Sequence, residues 1–159
     1  MARSVPLTVA ACLGVLVSAY ALYVESMHGT EGYVAMCDIS EHASCSKVLT
    51  SEFGKILSFS GLVPKDSPLD VPNALLGLGF YAAMLLHPVL PALAVLAAAT
   101  FSVALSCYLA YILATVLHDF CAVCVCSYVI NLVIFALAAR RALEVRPAAS
   151  APDAKAKRA

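Results

Sequence analysis

The stretch FCAVCVCSYVINLVIFALAA, residues 120–139, carries no charged side chain and runs directly into Arg140-Arg141. A helix of this length crosses a hydrocarbon layer of about 30 Å. The basic pair at its end marks a cytosolic boundary. The same reading extends to three earlier apolar segments, at residues 7–24, 73–86 and 92–117. The segment at 92–117 is long enough to need tilt. The one at 73–86 is short and ends at the turn His87-Pro88-Val89-Leu90-Pro91.

Composition agrees with lipid as the solvent. Of 159 residues, 62% are hydrophobic and only 13% charged, and the mean hydropathy is +0.90. A soluble domain needs far less apolar surface. The formal net charge is zero, with no basic stripe interleaved with aromatics, so nucleic acid is not an expected partner. The first apolar run exceeds a signal-peptide core and is followed by no small-residue cleavage site before Glu25, so it is expected to be a retained helix.

Charge then orients the bundle. The tail holds Arg140, Arg141, Arg146, Lys155, Lys157 and Arg158 against Glu144 and Asp153, and the N-terminus adds Arg3. The loop 25–72 holds three lysines and seven acidic residues. The positive-inside rule puts both termini in the cytosol and that loop in a lumen. The expected fold is therefore an all-α membrane protein, a four-helix bundle with a luminal loop. Residues 1–145 form one transmembrane domain, and 146–159 a disordered basic tail. The tail's end, Lys155-Ala156-Lys157-Arg158-Ala159, resembles a dilysine signal for retrieval to the endoplasmic reticulum.

With that orientation, four of seven cysteines share one membrane face. Cys37 and Cys45 lie in the loop, and Cys121-Ala122-Val123-Cys124 opens the last span after His118-Asp119. Residues i and i+3 share a helical face, so the C-x-x-C sulfurs can meet. Asp119 is expected to cap the helix and leave Cys121 in its first turn. There, free backbone N–H groups and the helix dipole stabilise a thiolate. Tyr128 falls one turn beyond Cys124, where its phenol can serve a bound acceptor or simply pack.

Ser44 is expected to cap a short surface helix running to about Leu57, with Val48, Leu49, Phe53, Ile56 and Leu57 as its apolar stripe beside Cys45. Cys37 sits in the more polar approach, where a soluble partner can meet it. Alone, Cys37–Cys45 reads as a structural staple; beside a C-x-x-C on the same face, a thiol–disulfide relay is favoured. Cys12, Cys107 and Cys126 read as small buried hydrophobes. A four-sulfur zinc site suits an oxidising lumen poorly, the histidines share no ligand spacing, and no metal is expected.

This pattern resembles the vitamin K epoxide reductase family. The resemblance runs through Ala35-Met36-Cys37-Asp38, Ser44-Cys45-Ser46, Pro72-Asn73, Gly79-Phe80-Tyr81, Tyr108-Leu109-Ala110-Tyr111-Ile112-Leu113, Asp119-Phe120-Cys121-Ala122-Val123-Cys124 and Tyr128-Val129-Ile130-Asn131. It implies a pocket opening toward the lumen, capped by the loop helix. It also implies reduction of vitamin K 2,3-epoxide to the quinone, and of the quinone to the hydroquinone, with no tightly bound cofactor. Cys124 would be the substrate-facing nucleophile and Cys121 its resolving partner. Cys45 would reduce that disulfide, and Cys37 would exchange with a thioredoxin-like luminal oxidoreductase.

By the same resemblance, Asn73 and Tyr128 would donate hydrogen bonds to the naphthoquinone oxygens. Phe80, Leu109 and Leu113 would line the pocket, and 4-hydroxycoumarin anticoagulants would compete for it. Leu49, Phe53 and Leu76 depart from the aromatics common at those positions, which bears on the shape of the pocket's lid. The sequence lies between the family's two vertebrate paralogues. An alternative direction for the same chemistry is a quinone-coupled thiol oxidase that generates disulfides in luminal proteins. A non-enzymatic scaffold with a stapled loop is the third reading.

Overall fold

The computed structural model describes residues 5–65 and 67–149, with side chains through residue 145. Among these residues the regular elements are all helical. Helix α1 is Val5–Ser26, and the loop that follows contains the short α2 (Cys45–Leu49), a 3-10 turn at Glu52–Gly54 and α3 (Ile56–Phe59). Then come α4 (Asn73–Leu85), α5 (Ala92–Ile112) continued by a π-turn over Leu113–Leu117, and α6 (Ala122–Ala149). Helix α6 thus runs past Arg146, where the expected tail begins. Residues 150–159, with the dilysine-like end, lie outside the described residues.

Three segments, Val5–Ser26, Ala92–Leu117 and Ala122–Val145, are long and apolar enough to cross a membrane. At 13 residues, α4 is shorter. It still belongs to the bundle, because α1 packs along both α4 and α6, and α5 along α6. Glycine permits the α1–α4 approach. Gly14 lies beneath the Tyr81 ring, where any Cβ would overlap the ring, and a Cβ on Gly77 would sit 3.1 Å from Ser18 Oγ. Small residues let helices approach closely where burial from water supplies no driving force.

Polar clasps complete the packing. Tyr81 donates to the Ser127 carbonyl at 3.4 Å, and Asn131 Nδ2 to Ser106 Oγ at 2.8 Å. Arg141 donates to the carbonyls of His87 and Leu90 in the α4–α5 turn. The outward faces carry exposed Val9, Leu13, Leu16, Phe101, Leu132 and Val133, as a lipid-facing surface requires.

Two packed regions close the bundle. At the end where α1 begins, Leu7, Ala10, Ala11, Tyr81, Met84, Val95, Ala99, Ile134 and Ala138 form the larger core. At the other end, Cys45, Val48, Leu113 and Cys121 form a smaller one. A cavity lies between them.

Candidate functional site

The smaller core brings the loop and the start of α6 together. Cys37 is bonded to Cys45, with Cα atoms 5.7 Å apart, and Cys121 to Cys124, with Cα atoms 5.3 Å apart. Cys45 and Cys121 are both 0% exposed and belong to the same packed cluster, which Cys37 and Cys124 flank. Cys37 and Cys124 are half-buried. The four cysteines expected to converge therefore do so. By contrast Cys12, Cys107 and Cys126, expected to be buried, are exposed on the outer faces of their helices. A small apolar thiol is at home against lipid, so the burial expected from its polarity alone does not follow.

The loop is held by local hydrogen bonding. Ser44 caps α2 as expected, its Oγ accepting from the Lys47 N–H at 3.3 Å. Ser44 Oγ donates to Asp38 Oδ1 at 2.9 Å and the Ser46 N–H to the same oxygen at 3.0 Å, while Ser46 Oγ donates to Asp38 Oδ2. Burial works to raise the Asp38 pKa, but the hydrogen bonds from Ser46 and Ser44 outweigh it and hold the carboxyl below its ordinary value. Asp38 thereby grips both residues flanking Cys45.

The helix expected to run from Cys45 to about Leu57 is instead broken into three turns. Thr50 Oγ1 donates back to the Ser46 carbonyl and Ser51 Oγ to that of Val48, both at 2.7 Å, a pattern that competes with continued helix. Gly54 then closes so tightly on the Leu49 carbonyl that a Cβ would overlap it. The apolar stripe nevertheless faces one way: Val48, Leu49, Phe53, Ile56 and Leu57 all line the cavity as its roof.

Start of α6 differs from expectation in a way that matters chemically. Asp119 does not cap the helix. His118 adopts a left-handed conformation (φ 51°), the Phe120 N–H donates to the His42 carbonyl at 2.8 Å, and the Asp119 carboxylate turns to Lys47 Nζ at 3.6 Å. Cys121 takes the capping place. Its carbonyl accepts from the Val125 N–H at 3.0 Å, and its Sγ accepts from the Cys124 N–H at 3.2 Å. The sulfur sits where backbone donors and the helix dipole favour negative charge.

The cavity measures about 680 Å³, within the roughly 300–1,000 Å³ usual for small-ligand sites. Cys124 and Tyr128 from α6, Asn73 and Phe80 from α4, Leu109 from α5 and Leu113 at the start of the π-turn all line it. Each is a residue the sequence singled out. Asn73 has a further role that the sequence does not reveal. Its Oδ1 accepts from the Ile56 N–H at 2.8 Å and its Nδ2 donates to the Phe53 carbonyl at 2.7 Å. The carboxamide thus clasps the roof, with one amide hydrogen left over. Beside it, Lys55 pairs with the nearly buried Asp70 at 3.4 Å.

Deeper in, Ser18, Ser102, Ser106, Ser127 and Asn131 add a sparse polar lining to which the sequence reading assigns no role. Asn131 stands three residues beyond Tyr128, so helical periodicity was the available signal. Helices α4 and α5 share little direct packing. Phe101 of α5 lines the cavity while remaining 72% exposed.

Known proteins match this chain in sequence. The profile described as "Vitamin K epoxide reductase family" covers residues 5–139. Vitamin K epoxide reductase complex subunit 1 of Rattus norvegicus is 38% identical over 132 residues, 79% of this chain and 82% of its own length. The protein of the same name from Mus musculus is 38% identical over 129 residues, 77% of this chain and 80% of its own.

Proposed function

Because the chain belongs to the vitamin K epoxide reductase family, we propose that it is a membrane oxidoreductase that reduces vitamin K 2,3-epoxide to the quinone and the quinone to the hydroquinone. The observation that carries this reading is the division of labour within the C-x-x-C. Cys124 faces an apolar cavity beside Tyr128, while Cys121 is buried behind it against Cys45.

Each reduction takes two electrons, the number released when a dithiol closes to a disulfide. The reduced Cys124 attacks the substrate, and Cys121 then displaces the adduct and re-forms Cys121–Cys124. Epoxide reduction also releases the ring oxygen as water. Tyr128 and the remaining Asn73 amide hydrogen are the donors for the naphthoquinone oxygens. Phe80, Leu109 and Leu113 are apolar walls for the ring, and the lipid-side border at Phe101 accommodates an isoprenoid tail. Few polar groups on apolar walls is the usual means of orienting such a ligand. Coumarins of the 4-hydroxy class compete for the same space.

Electrons reach the C-x-x-C from Cys45, and Cys45 is in turn served by Cys37. Cys37 exchanges with a thioredoxin-like luminal oxidoreductase. Support comes from the gradient of exposure, since Cys37 is open to solvent in part whereas Cys45 is closed. Residues 1–145 act as one catalytic domain with four spans in the endoplasmic reticulum membrane. Both termini are cytosolic and the four relay cysteines luminal.

The test is turnover in membranes. Vitamin K epoxide is supplied with a dithiol, quinone and hydroquinone are followed by chromatography, and Cys121 and Cys124 are thiol-trapped in parallel. Quinone formation, with oxidation of both sulfurs on adding epoxide, is the expected result. Sulfurs that ignore the epoxide would overturn the assignment.

A further inference from the structure

The relay requires Cys45 to meet Cys121, yet both sulfurs are wholly buried in one cluster. A soluble reductant reaches neither. The exchange is therefore intramolecular, and its rate follows the fraction of time in which the loop is docked with the two sulfurs aligned.

Docking rests on a short seam. On the loop side, residues 42–47 bracket Cys45; on the helix side, residues 119 and 120 lead into Cys121. The Phe120 N–H donates to the His42 carbonyl at 2.8 Å, and Ala43 and Phe120 form an isolated parallel bridge. Beyond Cys45, Lys47 Nζ reaches Asp119 Oδ2 at 3.6 Å. One contact lies on each side of Cys45 in the chain. Together they add directional contacts to the apolar packing of Cys45 and Val48 against Leu113 and Cys121 and of α2 against α1.

The two contacts differ in kind. The His42–Phe120 bond is backbone, whereas the Lys47–Asp119 contact is made by side chains. Lys47 Nζ also donates to the Glu41 carbonyl at 2.9 Å, so the same ammonium closes the loop on itself and ties it to Asp119. The Lys47 side chain is 60% exposed and that of Asp119 only 12%. Asp119 has no capping duty in α6, since Cys121 fills that position.

We propose that the Lys47–Asp119 ion pair is a positioning contact for the relay, holding the loop in the register in which Cys45 is presented to Cys121. The proposal rests on the relay reading above. The chemistry it serves balances in two exchanges. The Cys45 thiolate attacks Cys121 Sγ; the Cys45–Cys121 bond forms, the Cys121–Cys124 bond breaks, and the electron pair leaves on Cys124, which takes up the proton that Cys45 lost. The Cys37 thiolate then attacks Cys45 Sγ. Cys37–Cys45 forms, Cys45–Cys121 breaks, and Cys121 leaves as a thiolate and is protonated in turn. One dithiol is oxidised and one disulfide reduced.

The experiment compares two electron sources in the full-length chain in membranes. A small membrane-permeant dithiol reaches Cys124 through the cavity, whereas reduced thioredoxin must enter at Cys37. Asp119→Asn and Lys47→Gln are expected to lower thioredoxin-driven epoxide reduction roughly two- to fivefold, the range of a partly exposed ion pair, relative to dithiol-driven turnover. Lys47→Arg keeps the ratio, and the charge swap Lys47→Asp with Asp119→Lys restores most of it.

In a Cys37→Ala, Cys124→Ser background treated with an added thiol oxidant such as diamide, the Cys45–Cys121 disulfide that forms, read by mass spectrometry, falls in parallel when Asp119→Asn is added. Salt lowers the thioredoxin-to-dithiol ratio of the unmodified chain but not that of Asp119→Asn. An unchanged ratio in Lys47→Gln, whose exposed position spares the fold, overturns the proposal even if Asp119→Asn is poorly folded. A charge swap that restores nothing also overturns it. Absence of dithiol-driven turnover in the unmodified chain is a different result and would sink the functional reading itself.

Discussion

The Sγ of Cys121 accepts a hydrogen bond from the backbone N–H of Cys124 at 3.2 Å, which makes the two sulfurs of the C-x-x-C unequal. One is buried as a helix cap beside Cys45, and the other opens on the cavity. Their roles in the proposed chemistry cannot be exchanged.

That asymmetry predicts the outcome of cysteine replacement. Cys124→Ser removes the group facing the ligand and is expected to lower turnover by roughly three orders of magnitude or more with every reductant. Cys37→Ala leaves the cavity untouched, so turnover with a small dithiol persists while thioredoxin-driven turnover is lost. Equal losses with both donors would contradict the order of transfer.

Asn73 predicts a second behaviour, because its carboxamide joins the roof to α4. Asn73→Asp keeps the acceptor for the Ile56 N–H but sets a carboxylate against the Phe53 carbonyl. Asn73→Ala loses both bonds, at a cost of about 1–3 kcal/mol. Both are expected to raise KM and to expose residues 50–62 to protease. Lys55→Gln loosens the same segment from a position outside the cavity lining. It should therefore give the protease effect with a smaller change in KM.

Bundle packing gives a third. A Cβ on Gly14 overlaps the Tyr81 ring, so Gly14→Ala is expected to force α1 and α4 apart at a cost of about 1–3 kcal/mol. Tyr81→Leu should recover part of that loss. Thermal unfolding of the purified protein in detergent, for the two single variants and the double, measures it. A melting temperature unmoved by Gly14→Ala would mean that the close approach does not exist.

A fourth concerns pH. Hydrogen bonds from Ser46 and Ser44 overcome the effect of burial and depress the Asp38 pKa below its ordinary 3.8. The stability contributed by the ionised form is complete above that ordinary value. It is lost only as pH falls through the lower value of the folded loop. The loop should accordingly stay closed across neutral and mildly acidic conditions. Asp38→Asn should loosen it at every pH above the ordinary 3.8, mildly acidic and neutral alike, seen as faster alkylation of the reduced Cys45. A loosening by Asp38→Asn that appears only near neutral pH would be the wrong sign.

Much of this architecture was legible because membranes impose simple rules. Uncharged runs pointed to the long helices, and the orientation expected from the basic tail put Cys37, Cys45, Cys121 and Cys124 on one face; the structure brings these four together at one end of the bundle. Tyr128 came from helical spacing, one turn beyond Cys124, whereas the cavity residues Asn73, Phe80, Leu109 and Leu113 came from resemblance, since packing and binding look alike in an apolar helix. What escaped was set by tertiary geometry. The loop helix breaks because Thr50, Ser51 and Gly54 fold back on preceding carbonyls. Asp119 abandons the cap because a cation from a distant part of the chain, Lys47, is nearer at hand. The outward-facing thiols escaped because lipid rewards the same side chains as a protein interior.

The shortness of α4 reaches beyond the protein. Thirteen residues span about 20 Å at 1.5 Å per residue, some 10 Å less than a typical hydrocarbon layer. In the proposed four-span arrangement, surrounding lipid must thin locally to cover that helix, with an energetic cost that grows with bilayer thickness. The endoplasmic reticulum has one of the thinner membranes of the cell. Hydrophobic mismatch thus gives this chain a physical preference for thinner bilayers. Reconstitution into phosphatidylcholines of increasing acyl length should accordingly favour the thinner bilayers.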